Sequence, residues 1–378
     1  MKVDMVQKAK TICLMACFEA LLLCCSFGVA PAAASPVDEE QEKIETPTVE
    51  KEVCEVDPDG SMSWGDVADA STGVEVAYRI TGTLPSNWDD FTTYYYEFHD
   101  ALDRQLVIDV ASVKISVGGG ASQSDVTSGF DVAVSSGNVL TARTTDLKSL
   151  APHATKDSVV TLTYTAHLDP TLATPGTGDP ADNYVYINYT SKPWTDAIGR
   201  TVEDQAQLLT WAIDVHKVNA NQSKNLAGAV FTVQDAWGAY VRADGTTSAE
   251  VVEHTTDEQG VISIRGVDAG SYTVTEVRAP KGYQKLDKPF TVVIHSRLQL
   301  DASNVDAQVT GDGVKIESIG DAEGGVRLAV LNAAIGEPPV GPLAQTGDAI
   351  GAMVGLLVLI GVGVCAAGFA LVTRPRSK

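Results

Sequence analysis

Between about residue 48 and residue 335 the apolar positions recur every second residue. Val74, Val76, Tyr78 and Ile80 alternate with Glu75, Ala77, Arg79 and Thr81, and Tyr94, Tyr96 and Phe98 alternate with Tyr95, Glu97 and His99. Val159 to Tyr164 continues the pattern, and from about Leu209 a second block repeats it, through Ile213 and Val215, Val230 to Val233, Val261 to Ile264, Tyr272 to Thr275, Phe290 to Ile294 and Val326 to Asn332. A two-residue period puts alternate side chains on one face, which predicts half-buried strands. Gly118-Gly119-Gly120, Ser135-Ser136-Gly137, the run Asp257 to Gly260 and Asp268-Ala269-Gly270 read as breaks or turns between them. No long stretch holds a helical period. The prediction is an all-β chain of two tandem Ig-like sandwiches, at residues 48–208 and 209–335. An acidic spacer at residues 35–47 precedes them, and a linker at residues 336–342, stiffened by Pro338, Pro339 and Pro342, follows.

The two ends break the pattern. Lys2, Lys8 and Lys10 precede an apolar run from Thr11 to Val29, and Ala32-Ala33-Ala34 then leads into Ser35. A basic start, an apolar segment and small residues are the order of an export signal, predicted over residues 1–34. At the other end an apolar stretch, Ala349 to Val372, is long enough to span a bilayer and defines a transmembrane helix at residues 348–372. Arg374, Arg376 and Lys378 form a basic tail at residues 373–378, which stays on the cytoplasmic side. Just outside the helix lie Leu343, Ala344, Gln345, Thr346 and Gly347. This pentapeptide resembles the Leu-Pro-x-Thr-Gly sorting signal of Gram-positive surface proteins, with Ala344 in the proline position. The resemblance implies that a sortase cuts between Thr346 and Gly347. The Thr346 carboxyl then passes to an amine of peptidoglycan, its lipid-linked precursor or another pilin.

Charge and cysteine content narrow the setting. The net charge is −22, and both ends are slightly basic, so the middle holds the whole acidic excess. Such a surface repels nucleic acid and anionic lipid. Of six cysteines only Cys54 lies between the export signal and the apolar helix, so the exported part has no internal disulfide.

Several polar residues share a face with apolar ones. Lys217 is in phase with Ile213 and Val215, Glu276 with Tyr272 and Val274, and Asn332 with Val326, Leu328 and Val330. A lysine and a glutamate are rarely buried unless paired. In the first block Lys51 is in phase with Val49 and Val53, Asp100 with Tyr94, Tyr96 and Phe98, and Asn183 with Val185, Ile187 and Tyr189.

The second block carries Leu226-Ala227-Gly228-Ala229, Thr256-Asp257-Glu258-Gln259-Gly260, Tyr272-Thr273-Val274-Thr275-Glu276 and Ala279-Pro280-Lys281-Gly282-Tyr283. In that order these resemble a CnaB-type (SpaA-like) pilin domain. The resemblance implies an isopeptide bond between Lys217 and Asn332, assisted by Glu276. Burial disfavours the charged forms of an amine and an acid alike, so a neutral amine would meet a protonated acid. The first block, through Tyr78 to Pro85, Tyr96 to Asp100 and Tyr184 to Tyr189, resembles the fimbrial isopeptide-forming D2 domain, which is CnaA-like. This implies a bond from Lys51 to Asn183 beside Asp100. Asn188, which faces the other way, is the alternative acceptor.

No hydrolase or transferase signature is present. The six histidines show no metal-ligand spacing, and neither a metal nor a cofactor is expected. Asp57-Pro58-Asp59-Gly60 reads as a turn, not a calcium loop. The Tyr-Pro-Lys type motif whose lysine accepts the next subunit in major pilins is missing between Asp179 and Asn219. The resemblances therefore imply no enzyme beyond single-turnover bond formation. They imply an extracellular, cell-wall-anchored protein: a minor or basal pilin, or an adhesin stalk. The alternative is a surface module for a host matrix protein or glycan, with the Tyr94-Tyr95-Tyr96 run as a glycan platform. Its partners would be sortase, the wall precursor, other pilin subunits and a host surface ligand, and no nucleic acid.

Overall fold

The computed structural model describes residues 45–56, 60–119, 122–320 and 324–344. The export signal, most of the acidic spacer, Gln345 to Gly347, the apolar helix, the basic tail and Asp57 to Asp59 lie outside the described residues. Among the described residues no helix is long and apolar enough to cross a membrane.

Strand alternation appears directly as burial. Val159–Leu168 and Val76–Thr83 bury every second side chain along their whole length. These two pair antiparallel at the centre of a six-stranded sheet in the order Met62–Gly65, Val49–Val56, Val76–Thr83, Val159–Leu168, Leu106–Gly119, Ser122–Asp125. The facing sheet runs Val67–Asp69, Asp204–Leu209, Ala181–Thr190, Tyr96–Leu102, Val139–Thr144, Asp131–Val134, with Ile198–Arg200 alongside Ala181–Thr190. One core cluster, drawn from Val53 to Leu208, fills the space between them.

The second sandwich packs the sheet Val261–Val267, Trp211–Asn219, Gly325–Asn332, Val314–Gly320 against a longer one. That longer sheet is centred on Val230–Gln234, Gly270–Arg278, Phe290–Arg297 and Asn304–Thr310. Trp211–Asn219 and Gly325–Asn332, the first and last strands, lie side by side and parallel. Parallel neighbours need a long crossover; here the rest of the sandwich supplies it. Its core runs from Leu209 to Val330, and Val67 of the first block joins it. Every buried core residue of the two clusters thus lies between Val53 and Val330, so a fragment spanning residues 35–346 contains both cores entire.

The segment after Val67 ties the sandwiches together. Ala70 N donates to Leu209 O at 3.0 Å and Thr72 N to Gly266 O at 2.9 Å. Gly266 has φ +83°, and a Cβ there would stand 2.5 Å from Thr72 Cγ2, so glycine lets the two chains approach.

One sequence expectation holds and one changes. The glycine run does separate two strands: Gly118 and Gly119 are the last residues of Leu106–Gly119, and its antiparallel neighbour Ser122–Asp125 begins directly after, with Gly119 opposite Ser122. The proline-rich linker starts in a turn, with Glu337 N donating to Ala334 O at 3.0 Å, and does not run free. Gly313 N donates to Gly341 O at 3.1 Å, and Val340 and Leu343 pack on Val218, Ala329 and Leu331, the outward-facing apolar residues of the first and last strands.

Candidate functional sites: two buried lysine clusters

In the second sandwich the parallel first and last strands set Lys217 and Asn332 on the inner face, while Glu276 reaches in from the facing sheet. Lys217 is fully buried, and Asn332 and Glu276 are 1% and 2% exposed. Lys217 Nζ donates to Asn332 Oδ1 at 2.5 Å, and Asn332 Nδ2 donates to Glu276 Oε1 at 2.8 Å. The same Oε1 is 3.5 Å from Lys217 Nζ. The Leu286 backbone N–H holds the other carboxylate oxygen at 2.7 Å, so Glu276 has one oxygen pinned and one facing both nitrogens. Phe231 covers the amine, its ring centre 5.7 Å from Nζ.

Burial is the dominant influence on the Lys217 amine and lowers it to about 8, against an opposing pull from Glu276. At neutral pH roughly one amine in ten is then unprotonated, a few hundred times more than for an exposed lysine. A cavity of about 60 Å³, lined in part by Leu286, Leu331, Asn332 and Val340, adjoins the amide. It has room for a molecule the size of water or ammonia.

The depressed amine has a stability consequence. In an Asn332→Ala variant, Lys217 and Glu276 persist with no amide between them. Lysine binds its proton less tightly folded than unfolded, so the unfolded state holds more protons between the folded value of about 8 and the ordinary 10.5. Stability should therefore rise with pH across that window, by about 3 kcal/mol at most, and stay flat at this site below it. Urea unfolding from about pH 7 to about pH 10 should show this slope in Asn332→Ala and lose it in Asn332→Ala/Lys217→Met. Equal slopes in the two variants would refute it.

The first sandwich assembles its cluster across the two sheets. Lys51 comes from Val49–Val56 in one sheet, and Asp100 and Asn183 from neighbouring antiparallel strands in the other. All three are fully buried. Lys51 Nζ is in direct contact with Asp100 Oδ1. Burial pushes the Lys51 amine down, partly offset by Asp100.

A fourth group completes the cluster. Tyr164 OH donates to Asp100 Oδ2 at 2.7 Å and accepts from Asn183 Nδ2 at 2.6 Å and from Lys51 Nζ at 3.3 Å. Its ring stacks on Tyr78 with centroids 5.2 Å apart. Asn183 Oδ1 is buried without a hydrogen-bond partner among the described residues. Asn188 sits on the opposite face, where its Nδ2 donates to Glu97 Oε1 at 2.7 Å.

Sequence reasoning passed over Tyr164. Its signal was available, a hydroxyl in phase with inward Val160 and Leu162. In the Tyr94-Tyr95-Tyr96 run, Tyr94 and Tyr96 are core residues, and only Tyr95 faces outward, donating to Glu97 Oε2 at 2.7 Å. Of the sorting pentapeptide only Leu343 and Ala344 are described. Cys54 is a free, buried thiol.

Residues 212–307 match the SpaA family, a prealbumin-like fold domain. No curated protein matches the chain significantly. Among solved structures, a 35 kDa C-terminal fragment of a Streptococcus agalactiae major pilin is 17% identical, with TM-score 0.53, covering 65% of this chain and 90% of its own. The group B streptococcus pilus 2b backbone protein is 20% identical, with TM-score 0.52 and coverage of 77% and 98%. The T6 backbone pilin of serotype M6 Streptococcus pyogenes is 18% identical, with TM-score 0.53 and coverage of 77% and 70%. The chain thus has the tandem Ig-like sandwich fold of Gram-positive pilins, with a SpaA-type domain in its second half.

Proposed function

We propose that this chain is a sortase-anchored surface protein, a minor or basal pilin subunit or adhesin stalk, whose two sandwiches each close with a self-formed Lys–Asn isopeptide bond. The observation that carries this reading is the fully buried Lys217, hydrogen-bonded to Asn332 beside Glu276. The bonds join Lys217 to Asn332 and Lys51 to Asn183. The domain limits are residues 48–208 and 209–335, with the export signal, sorting motif, membrane helix and basic tail placed as the sequence predicts. The partners are sortase, the wall precursor and other pilin subunits.

The chemistry follows from the contacts. The neutral Lys217 amine attacks Cγ of Asn332, and a new C–N bond forms. Glu276 Oε1, within reach of both nitrogens, takes a proton from the attacking amine and delivers it to Nδ2. The C–Nδ2 bond breaks and ammonia leaves, leaving an amide and a regenerated Glu276. An amine that burial already disfavours in its charged form is thereby converted into a neutral amide. In the first sandwich Asp100 takes the same role, with Tyr164 holding the carboxylate and the amide in place. Each bond ties strands distant in sequence, in an ectodomain whose single cysteine, Cys54, has no partner for a disulfide within it, which suits a stalk under tension and proteolysis.

The test is the intact mass of the Ser35–Thr346 fragment, compared with Lys217→Ala and Lys51→Ala. The expected parent is lighter than its sequence by two ammonia molecules, and each variant restores one. A parent at its full sequence mass would refute both bonds. A single loss, cancelled by Lys217→Ala alone, would remove the first-sandwich assignment.

A further inference from the structure

Three carboxylates that belong to neither lysine cluster meet where the sandwiches join. Glu55 stands near the end of Val49–Val56, Asp69 at the end of Val67–Asp69, and Asp268 in the turn between Val261–Val267 and Gly270–Arg278. One carboxylate oxygen from each lies within 4.8 Å of the other two. The groups are held from outside by neutral donors. Asp69 N donates to Glu55 Oε2 at 2.7 Å, and Trp211 Nε1 to Asp69 Oδ2. Asp268 is positioned through its backbone, with N donating to Ser71 Oγ at 3.1 Å and O accepting from Tyr272 OH at 2.8 Å.

Two carboxylate oxygens are left without partners. Asp69, only 4% exposed, has Oδ1 buried with no hydrogen-bond partner among the described residues, and Asp268 Oδ1 is in the same condition. No lysine or arginine pairs with Asp69 or Asp268 among the described residues. Asp69 is buried and Glu55 and Asp268 half-buried, and leaving two buried carboxylate oxygens unpaired is costly.

We propose that Glu55, Asp69 and Asp268 form a divalent-cation site of the calcium class that pins the first sandwich to the second. Oxygens bound to one calcium ion at about 2.3–2.6 Å are at most about 5 Å apart, which the three groups satisfy. The donors are all anionic oxygens, the set that hard cations prefer, with no nitrogen or sulfur to favour zinc. Asp69 and Asp268 would supply their unpartnered oxygens and Glu55 the third carboxylate, with water completing the shell. The cation would bridge the Val67–Asp69 strand to the Asp268 turn. The site is independent of the isopeptide bonds.

Calcium chloride is the probe, titrated calorimetrically into chelator-stripped Ser35–Thr346 fragment, with melting followed in parallel. The expected result is one ion per chain, at a Kd of about 10⁻⁴–10⁻³ M, as in extracellular modules. Tm should rise with calcium and not with potassium chloride of equal ionic strength. Asp268→Asn should weaken binding at least about tenfold, and Glu55→Gln provides a second reading should Asp268→Asn fail to fold. Magnesium, which demands a tighter octahedral shell, should bind more weakly. No calcium effect, with Tm responding only to acid, would mean that Asp69 and Asp268 share a proton, and would overturn the proposal. So would calcium binding unchanged in both variants.

Discussion

A Glu276→Gln fragment is expected to fold, to weigh one ammonia more than the parent, and to melt well below it. Glutamine keeps the length and planarity of the side chain, and its oxygen can still accept from Leu286 N. It cannot take a proton from the Lys217 amine and pass it to Asn332 Nδ2. The two nitrogens keep their places, 115 residues apart in sequence, but the bond between them does not form. In the chain-entropy treatment of cross-links, closing a loop of that size is worth about 4–5 kcal/mol. For a sandwich of this size that corresponds to roughly 10–20 °C in Tm. Mass and melting must move together. If Glu276→Gln still loses ammonia at this site, the carboxylate is not the proton carrier. If it stays unlinked but melts like the parent, the bond is not what stabilises the second sandwich.

The residues behind this prediction were legible in the sequence because charge on an apolar face stands out. Lys217, Glu276 and Asn332 each interrupt a two-residue period, and alternation alone places all three on inner faces. The same holds for Lys51, Asp100 and Asn183. What alternation cannot supply is pairing between strands. That Trp211–Asn219 and Gly325–Asn332 lie side by side follows from the crossover of the whole sandwich, a non-local property. Tyr164 raised no alarm because a tyrosine ring suits a core, and only its hydroxyl needs a partner. The glycine run was legible as a break, since Leu106–Gly119 ends at Gly119 and its antiparallel neighbour starts at Ser122. The docked linker was hidden because Val340 and Leu343 follow no period and gain their partners from strands far away. The Glu55–Asp69–Asp268 cluster was hidden for the same reason. Its members come from three segments of both sandwiches, with no ligand spacing to read.

In the first sandwich, Asp100→Ala should have an effect larger than that of Glu276→Gln. The Lys51–Asn183 link would close a loop of roughly 130 residues, worth about 5 kcal/mol when lost. Asp100 is also in direct contact with the buried Lys51 amine. Removing one partner of a buried pair costs about 3–5 kcal/mol when the other charge is stranded. The two losses do not simply add, because burial already lowers the Lys51 amine and the stranded lysine can shed its proton. The expected variant weighs one ammonia more than the parent, keeps the second-sandwich bond, and loses first-sandwich structure at the lowest urea concentration of the set. Tyr164→Phe separates the carboxylate from its support. It removes a hydroxyl that touches Asp100, Asn183 and Lys51 but leaves the Lys51–Asp100 contact. If Asp100 moves the proton and Tyr164 only positions the groups, Tyr164→Phe should link slowly and reach the parent mass on prolonged incubation, while Asp100→Ala never does. Asp100→Ala at the parent mass would exclude the carboxylate. Tyr164→Phe permanently one ammonia heavier would transfer the essential role to the hydroxyl, the one member of the cluster that sequence reasoning passed over.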